Sequence, residues 1–324
     1  MNALTIDRPG SPQTLTLADA PLPQPGNLEV RVNIKAVSLN PADYKLIGGG
    51  HPAWTYPHIP GLDAAGIIDT VGQDVTQWKP GDRVAFHANL TKPGVFAEYA
   101  IASTLALALI PAAISFEEAA SLPCSGLTAM HALEKLHLEP GKKLLILGGS
   151  GGVGSLAVQL ARLAGLAVLA TTSAVNLTYV KELGASHAID YTTDDVAAEI
   201  NTVTNGQGID AIFDTVGHRA NPDVFSWLPY SGQLVSIVDV PPLPKNYSSR
   251  SLSFHAYALG AVYTYGIVAQ QAHFLGASMR NLLDLVDQGK VIPQVTKVIN
   301  WTDIGLGLEE LKEGHVTGKI VATL

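Results

Sequence analysis

Residues 143–162 read KLLILGGSGGVGSLAVQLAR, and their glycines carry the clearest chemical signal in the chain. Gly149, Gly151 and Gly154 fit the spacing G-x-G-x-x-G. The apolar run before them, 144–147, has the character of a buried parallel strand. Leu156, Leu160 and Leu163 after them recur at helical spacing. Strand, tight turn and helix start together aim backbone N–H groups and the positive end of a helix at one point. Glycine permits the turn and lets the backbone come close to a pyrophosphate. Ser150, Gly152 and Val153 complete the loop that would cradle it. The alternative is a glycine-rich connector without a ligand; the strand and helix on either side favour a dinucleotide.

The elements needed to position such a loop are legible on both sides of it. Strand-like pieces at 144–147, 167–171, 187–189, 209–214, 233–238 and 258–264 alternate with helical patterns. That alternation predicts a parallel, doubly wound sheet. Residues 266–288 predict one long helix, followed by a strand at 295–299, a helix at 303–313 and a strand at 319–323. The first 120 residues are β-rich, with strands at 29–37, 66–71 and 83–86. Pro25-Gly26, Pro60-Gly61 and Pro80-Gly81 supply turns between them. Ser115, followed by Glu117 and Glu118, predicts a capped helix start.

Size and charge narrow the class. A chain of 324 residues suits two domains or one large one. A net charge of −8 leaves no basic surplus to displace counterions, so nucleic acid is not an expected partner. No apolar run is long enough for membrane insertion, and the opening residues lack a charged-then-apolar signal pattern. Cys124 is the single cysteine. It leaves no internal disulfide and fits a reducing, cytoplasmic setting.

Several motifs coincide with one family. Asn40-Pro41-Ala42-Asp43-Tyr44-Lys45 resembles the N-P-x-D-x-K element of zinc-free medium-chain dehydrogenase/reductases. PGLDAAGIIDTVGQDVTQWKPGDRV, at 60–84, resembles that superfamily's G-x-D-x-x-G-x-V signature with its G-D-R-V ending. GLTAMHAL at 126–133, ELGASHAIDY at 182–191 and GKIV at 318–321 follow in the expected order. The resemblance is to the quinone oxidoreductase, zeta-crystallin-like branch. It implies an α/β protein with a GroES-like β-rich catalytic domain, 1–123 plus 267–324, and an inserted Rossmann domain, 124–266. It also implies an active site in the cleft between the two and a homodimer, with the last Rossmann strand as its interface.

The resemblance then directs attention to what is missing. Where the zinc enzymes of the superfamily carry a Cys, a His-Glu pair and a second Cys, this chain has Asn40, Leu62-Asp63 and Cys124. One thiol and an amide do not supply three zinc ligands, so no metal is expected. Without a Lewis acid, alcohol oxidation gives way to hydride transfer onto an acceptor that is already activated, a quinone or an α,β-unsaturated carbonyl. Asn40 is the first candidate for orienting substrate or the nicotinamide ribose, with an Asn-Pro turn as its alternative. Tyr44 and Tyr56 are candidate donors to a carbonyl, or else packed aromatics.

For the cofactor, residues 170–174 contain no carboxylate to repel a 2′-phosphate. Ser173, Asn176 and Tyr191 match the branch's 2′-phosphate positions, and Val175 replaces its cation. NADPH is the expected cofactor. Ser173 and Asn176 have helix capping as their alternative role. By resemblance Thr128 lies beside the nicotinamide, Val216, Val238 and Tyr263 line the cofactor cleft, and Lys319 either reaches the active site or is a solvated surface lysine. Competing functions are a ketoreductase or enoyl-type reductase of a larger substrate, and a non-catalytic NADPH-binding or structural protein.

Overall fold

The computed structural model describes residues 1–324. Seven strands form the N-terminal part: β1 Asn2–Thr5, β2 Thr16–Asp19, β3 Glu29–Ser38, β4 Asp63–Val71, β5 Arg83–His87, β6 Tyr99–Ser103 and β7 Ala108–Leu109. Six follow: β8 Lys143–Leu147, β9 Ala167–Thr172, β10 His187–Asp190, β11 Ala211–Asp214, β12 Gln233–Ser236 and β13 Ser253–Ala256. Two close the chain, β14 Val295–Asn300 and β15 Lys319–Thr323. Contacts divide the chain into two compact units, Met1–Leu127 with Leu259–Leu324, and Thr128–Ala258.

The first unit is built on a largely antiparallel sheet of order β14-β15-β3-β4-β5-β7, with β6 also paired to β3. Along β3, Val30, Val32, Ile34 and Ala36 are buried while the residues between them are partly exposed. This is the period-two pattern of a strand with one face in the core. The pattern then breaks: Val37, Ser38, Leu39 and Asn40 are all buried. The chain therefore enters the interior at the end of β3 and delivers a polar side chain there. Register places the neighbours. Val321 of β15 lies opposite Ser38 of β3, Ser38 opposite Asp63 of β4, and Asp63 opposite His87 of β5. Residues directly opposite one another in a sheet share a face. One row across four strands thus brings an aspartate and a histidine together from distant parts of the sequence.

The second unit is a six-stranded parallel sheet of order β10-β9-β8-β11-β12-β13. Counted from β8 as first, this is the order 3-2-1-4-5-6 of dinucleotide-binding sheets, which reverses direction between β8 and β11. Leu145, Leu147, Leu169, Ile189, Ile212 and Leu234 pack its core. Their runs of consecutive buried residues suit strands covered on both faces.

Two expectations are corrected. Residues 258–264 do not form a strand. The last strand is β13, and Leu259–Ala261 and Val262–Tyr265 are short helical turns. A short apolar run reads equally well as strand or helix, and here it does not pair. Tyr263 accordingly does not sit at the end of a sixth Rossmann strand, and it falls in the first unit. The long helix at 266–288 is interrupted: Val268–Gln271 and Ser278–Asp287 flank a π-helical stretch, Ala272–Ala277. Gly276 lies against β7's approach, its N–H donating to the Leu105 carbonyl at 3.0 Å. A Cβ there would come within 2.5 Å of that oxygen.

Candidate active site and cofactor loop

Asn40 caps the helix Pro41–Gly49 from the end of β3, and its side chain turns inward rather than toward the solvent. Its amide nitrogen donates to Asp63 Oδ2 at 2.9 Å and to the Ser38 carbonyl at 3.3 Å. Its Oδ1 accepts from Lys319 Nζ at 2.5 Å. An ammonium only donates, so this contact fixes which way the amide faces. Lys319 also donates to the Leu39 carbonyl at 2.9 Å and is only 4% exposed. The solvated-lysine alternative is therefore overturned. Asn40, expected to orient a ligand, has both of its amide donors engaged within the protein.

Asp63 is fully buried and accepts a second hydrogen bond from the Cys124 N–H at 2.9 Å. Burial pushes its carboxyl up to about 7, with Lys319, the Asn40 amide and the Cys124 N–H pulling the other way. Asp43, one turn into the helix, accepts from the Asn40 N–H at 2.8 Å. Burial and the nearby Asp63 push it up to about 8. Burial also pushes the half-buried Cys124 thiol well up, so it is a poor nucleophile at neutral pH.

His87 completes the cluster, and nothing in its sequence surroundings singles it out. It closes the strand RVAFH, and only the sheet register brings it to Asp63. Burial drives its imidazole down to about 4, so it is neutral at pH 7. Tyr263 stacks on it, with ring centroids 5.7 Å apart, and donates from its hydroxyl to the His87 carbonyl at 2.5 Å. The same hydroxyl lies 3.3 Å from His87 Nδ1. His87 and Tyr263 both line a cavity of about 460 Å3. Apolar residues such as Pro57, Ile59, Ala88 and Ala100 form much of the remaining wall. His58 lines it too, stacked on Trp54 at 3.9 Å and held neutral by burial. The two cations on the wall, the Met1 ammonium and Lys92, are paired with Asp19 and Glu29. A neutral, mostly apolar molecule with a hydrogen-bonding head suits this lining. Tyr44 and Tyr56 do not contribute to it; Thr55 and Pro57, on either side of Tyr56, do. Tyr44 is half-buried with Lys312 as the charge acting on it, and Tyr56 is exposed.

In the second unit the glycines divide their labour. Gly148 takes φ +78° and makes the turn. A Cβ on Gly154 would lie 2.1 Å from the Gly148 carbonyl oxygen, so Gly154 exists for close packing of helix against strand. A Cβ on Gly149 would press on Ala170 at 2.8 Å. Gly151 differs: its φ is −75°, and a Cβ would meet nothing closer than 3.5 Å. Of the three motif glycines it is the one whose side-chain direction is open. The helix Gly152–Leu163 starts there, and its first i→i−4 bond is made by Ser155 N–H to the Gly151 carbonyl. The N–H groups of Gly152, Val153 and Gly154 precede that bond and are available to an anion. Ser150 accepts from the Thr172 hydroxyl at 2.9 Å, which ties the loop to the end of β9.

The remaining cofactor candidates lie at or beyond strand ends. Val216 and Val238 follow β11 and β12 and are exposed despite being apolar. Thr128 is buried in the helix Pro123–Lys135. Ser173 and Asn176 follow β9, 3.4 Å apart side chain to side chain, and neither caps a helix through its side chain. Val175, between them in sequence, is exposed, and so is Tyr191, whose N–H donates to the Thr172 carbonyl at 3.1 Å. The absence of a carboxylate at 170–174 does not extend to its surroundings, however. Asp190, at the end of β10, is hydrogen-bonded by Thr192 above all, and also by Thr193 and the Ala174 backbone, and these bonds hold its carboxyl below the usual range.

With the geometry in place, the chain's relatives can be set beside it. Residues 26–112 match the alcohol dehydrogenase GroES-like domain, and 183–321 match a zinc-binding dehydrogenase domain. A chloroplastic quinone oxidoreductase of Triphysaria versicolor is 33% identical over 322 residues, covering 96% of this chain and 94% of its own. A trans-enoyl reductase of Alternaria alternata is 32% identical, covering 98% and 96%. The solved quinone oxidoreductase of Coxiella burnetii superposes with a TM-score of 0.88 at 29% identity, covering 100% of this chain and 99% of its own. The zinc named in the second domain's description can be tested against the donors present. Asp63, His87 and Cys124 bring one ligand atom each within 4.8 Å of one another. They do not fit a resident zinc, because both Asp63 oxygens already accept hydrogen bonds and the buried Lys319 ammonium acts on both Asp63 and Cys124. The register row, the 3-2-1-4-5-6 sheet with its glycine loop, and these similarities along nearly the whole length have one conclusion: the chain belongs to the medium-chain dehydrogenase/reductase family and is an oxidoreductase related to quinone oxidoreductases.

Proposed function

We propose that this protein is a zinc-independent, NADPH-dependent reductase of quinones or α,β-unsaturated carbonyls. The observation that carries the reading is the Asp63 cluster. A buried side-chain ammonium and an amide stand among the donors, and a neutral His87 with the Tyr263 hydroxyl faces a largely apolar cavity. No group there is suited to ionise an alcohol. A conjugated acceptor needs only orientation and a donor near its oxygen; Tyr263 and His87 face the cavity to orient it, and the Tyr263 hydroxyl becomes the donor when an acceptor oxygen replaces the His87 carbonyl as its partner. Bound NADPH supplies the hydride. The open space at Gly151 and the free helix start at Gly152 and Val153 hold its pyrophosphate, and Val216, Val238 and Thr128 line the remainder of its site. Ser173, Asn176 and Tyr191 favour the 2′-phosphate, while Asp190 nearby keeps the preference over NADH modest.

The similarity to a trans-enoyl reductase supports carbon–carbon double bonds over ketones as the acceptor. A homodimer and a cytoplasmic location belong to the same reading, the first resting on family resemblance, without the strand at 258–264 expected to form its interface, and the second on the single cysteine. No helix is long and apolar enough to cross a membrane. The test is NADPH oxidation, followed across a panel of benzoquinones, 2-alkenals and enones. Turnover with at least one of these classes is expected, and Tyr263→Phe should lower kcat/KM by roughly tenfold or more. NADPH binding without turnover on any acceptor would leave a non-catalytic NADPH-binding protein.

A further inference from the structure

We infer that Lys319 is the internal cation that keeps the Asp63–His87–Cys124 triad free of metal, and that removing its charge turns the triad into a binding site for a thiophilic divalent ion. Three observations converge on this. The carboxylate, imidazole and thiol already present ligand atoms within 4.8 Å of one another, from β4, β5 and the helix Pro123–Lys135. Tetrahedral bonds of about 2.0–2.3 Å place ligand atoms roughly 3.5 Å apart, so the triad needs to contract by about 1 Å. The Lys319 ammonium is anchored beside it, on the Leu39 carbonyl and Asn40 Oδ1, and Asn40 is itself bonded to Asp63. A fixed positive charge is thus tied to the triad through one intervening side chain, and β15 holds the stem of Lys319 buried. The ammonium offsets part of the cost of the buried carboxylate, and its charge opposes entry of a second cation into the same low-dielectric space.

Replacing the ammonium by a neutral side chain of similar length removes that opposition. It also leaves Asp63 in need of a countercharge. A divalent ion then satisfies Asp63, takes the His87 imidazole as a neutral ligand, and displaces the Cys124 thiol proton to solvent as the metal–sulfur bond forms. No electrons change hands, and one proton is released per ion bound.

Cobalt(II) is the probe, because a thiolate ligand gives it a near-ultraviolet charge-transfer band. Lys319→Met should bind one Co2+ per chain with that band, at least roughly 100-fold more tightly than the parent. Lys319→Arg, which keeps the charge, should behave as the parent does. Adding Cys124→Ser to Lys319→Met should abolish the band. The readout is metal binding and is independent of turnover. If Lys319→Met is poorly folded alone, added Co2+ should restore its far-ultraviolet spectrum and raise its Tm. A parent protein that binds Co2+ with the same band would overturn the inference. So would a Lys319→Met chain that neither binds the ion nor is stabilised by it.

Discussion

Asn40 illustrates how a polar residue can serve a site by holding its other members in place. Its amide is spent on Asp63, Ser38 and Lys319, so its contribution is to hold a carboxylate and an ammonium in one arrangement. Asn40→Ala should therefore destabilise the fold, by about 2–4 kcal/mol, since it strips partners from two buried charged groups. Chemical denaturation checks this; an unchanged midpoint would return Asn40 to the role of a turn residue. The titrating groups give a second expectation. The folded-state values of Asp43 and Asp63 are raised from 3.8 to about 8 and about 7. The stability attached to them is complete below about pH 4 and is lost as pH rises through those values. His58 and His87 are lowered from 6.5 to about 4, and their contribution is present above 6.5 and lost as pH falls toward 4. The two trends oppose each other below pH 6.5, so the carboxyl effect stands alone between pH 6.5 and 8. Stability should fall across that window in the parent, and Asp43→Asn should flatten the fall. An identical slope in the variant would show that Asp43 does not titrate there.

At the scale of elements, the glycine loop separates function from packing. Gly151→Val should leave Tm nearly unchanged and abolish NADPH binding, because its Cβ enters open space where the pyrophosphate belongs. Gly154→Ala should instead cost roughly 2 kcal/mol or more of stability, since its Cβ collides with the Gly148 carbonyl. Thermal denaturation with a fluorescence titration of NADPH distinguishes the two. The loop, the parallel strands and the closing strand β15 were legible in the sequence because each rests on local signals: apolar runs, glycine spacing and helix periodicity. The Asp63 cluster was legible only in part. Asn40 and Lys319 stood out by motif, but His87 joins them through sheet register, which pairs residues far apart in sequence and leaves no local trace. Tyr263 was misplaced for a related reason. An apolar run of strand composition formed a helical turn, and no spacing rule distinguishes the two.

At the scale of the whole molecule, the work divides between the units. On the proposed reading, the unit 128–258 carries the nucleotide through its glycine loop and the other unit receives the acceptor in the cavity beside His87. The proposed cofactor preference rests on the second unit, where Val175 stands exposed and uncharged and Asp190 lies close to Ala174. NADPH should be favoured over NADH only modestly. Val175→Lys should tighten NADPH by about 1 kcal/mol and leave NADH nearly unmoved. Equal tightening of both cofactors would contradict a 2′-phosphate site at Ser173 and Asn176.

The claim that hydride passes from NADPH to a conjugated acceptor without a metal is tested most directly by isotope transfer. Chelator-treated protein would be supplied with NADPH deuterated at C4 and an enone, and the product analysed by mass spectrometry and proton NMR. The expected result is deuterium on the β-carbon of the saturated ketone, with the α-proton drawn from water and the rate unaffected by added zinc. Unlabelled product, deuterium on a carbinol carbon, or turnover only after zinc is restored would contradict it.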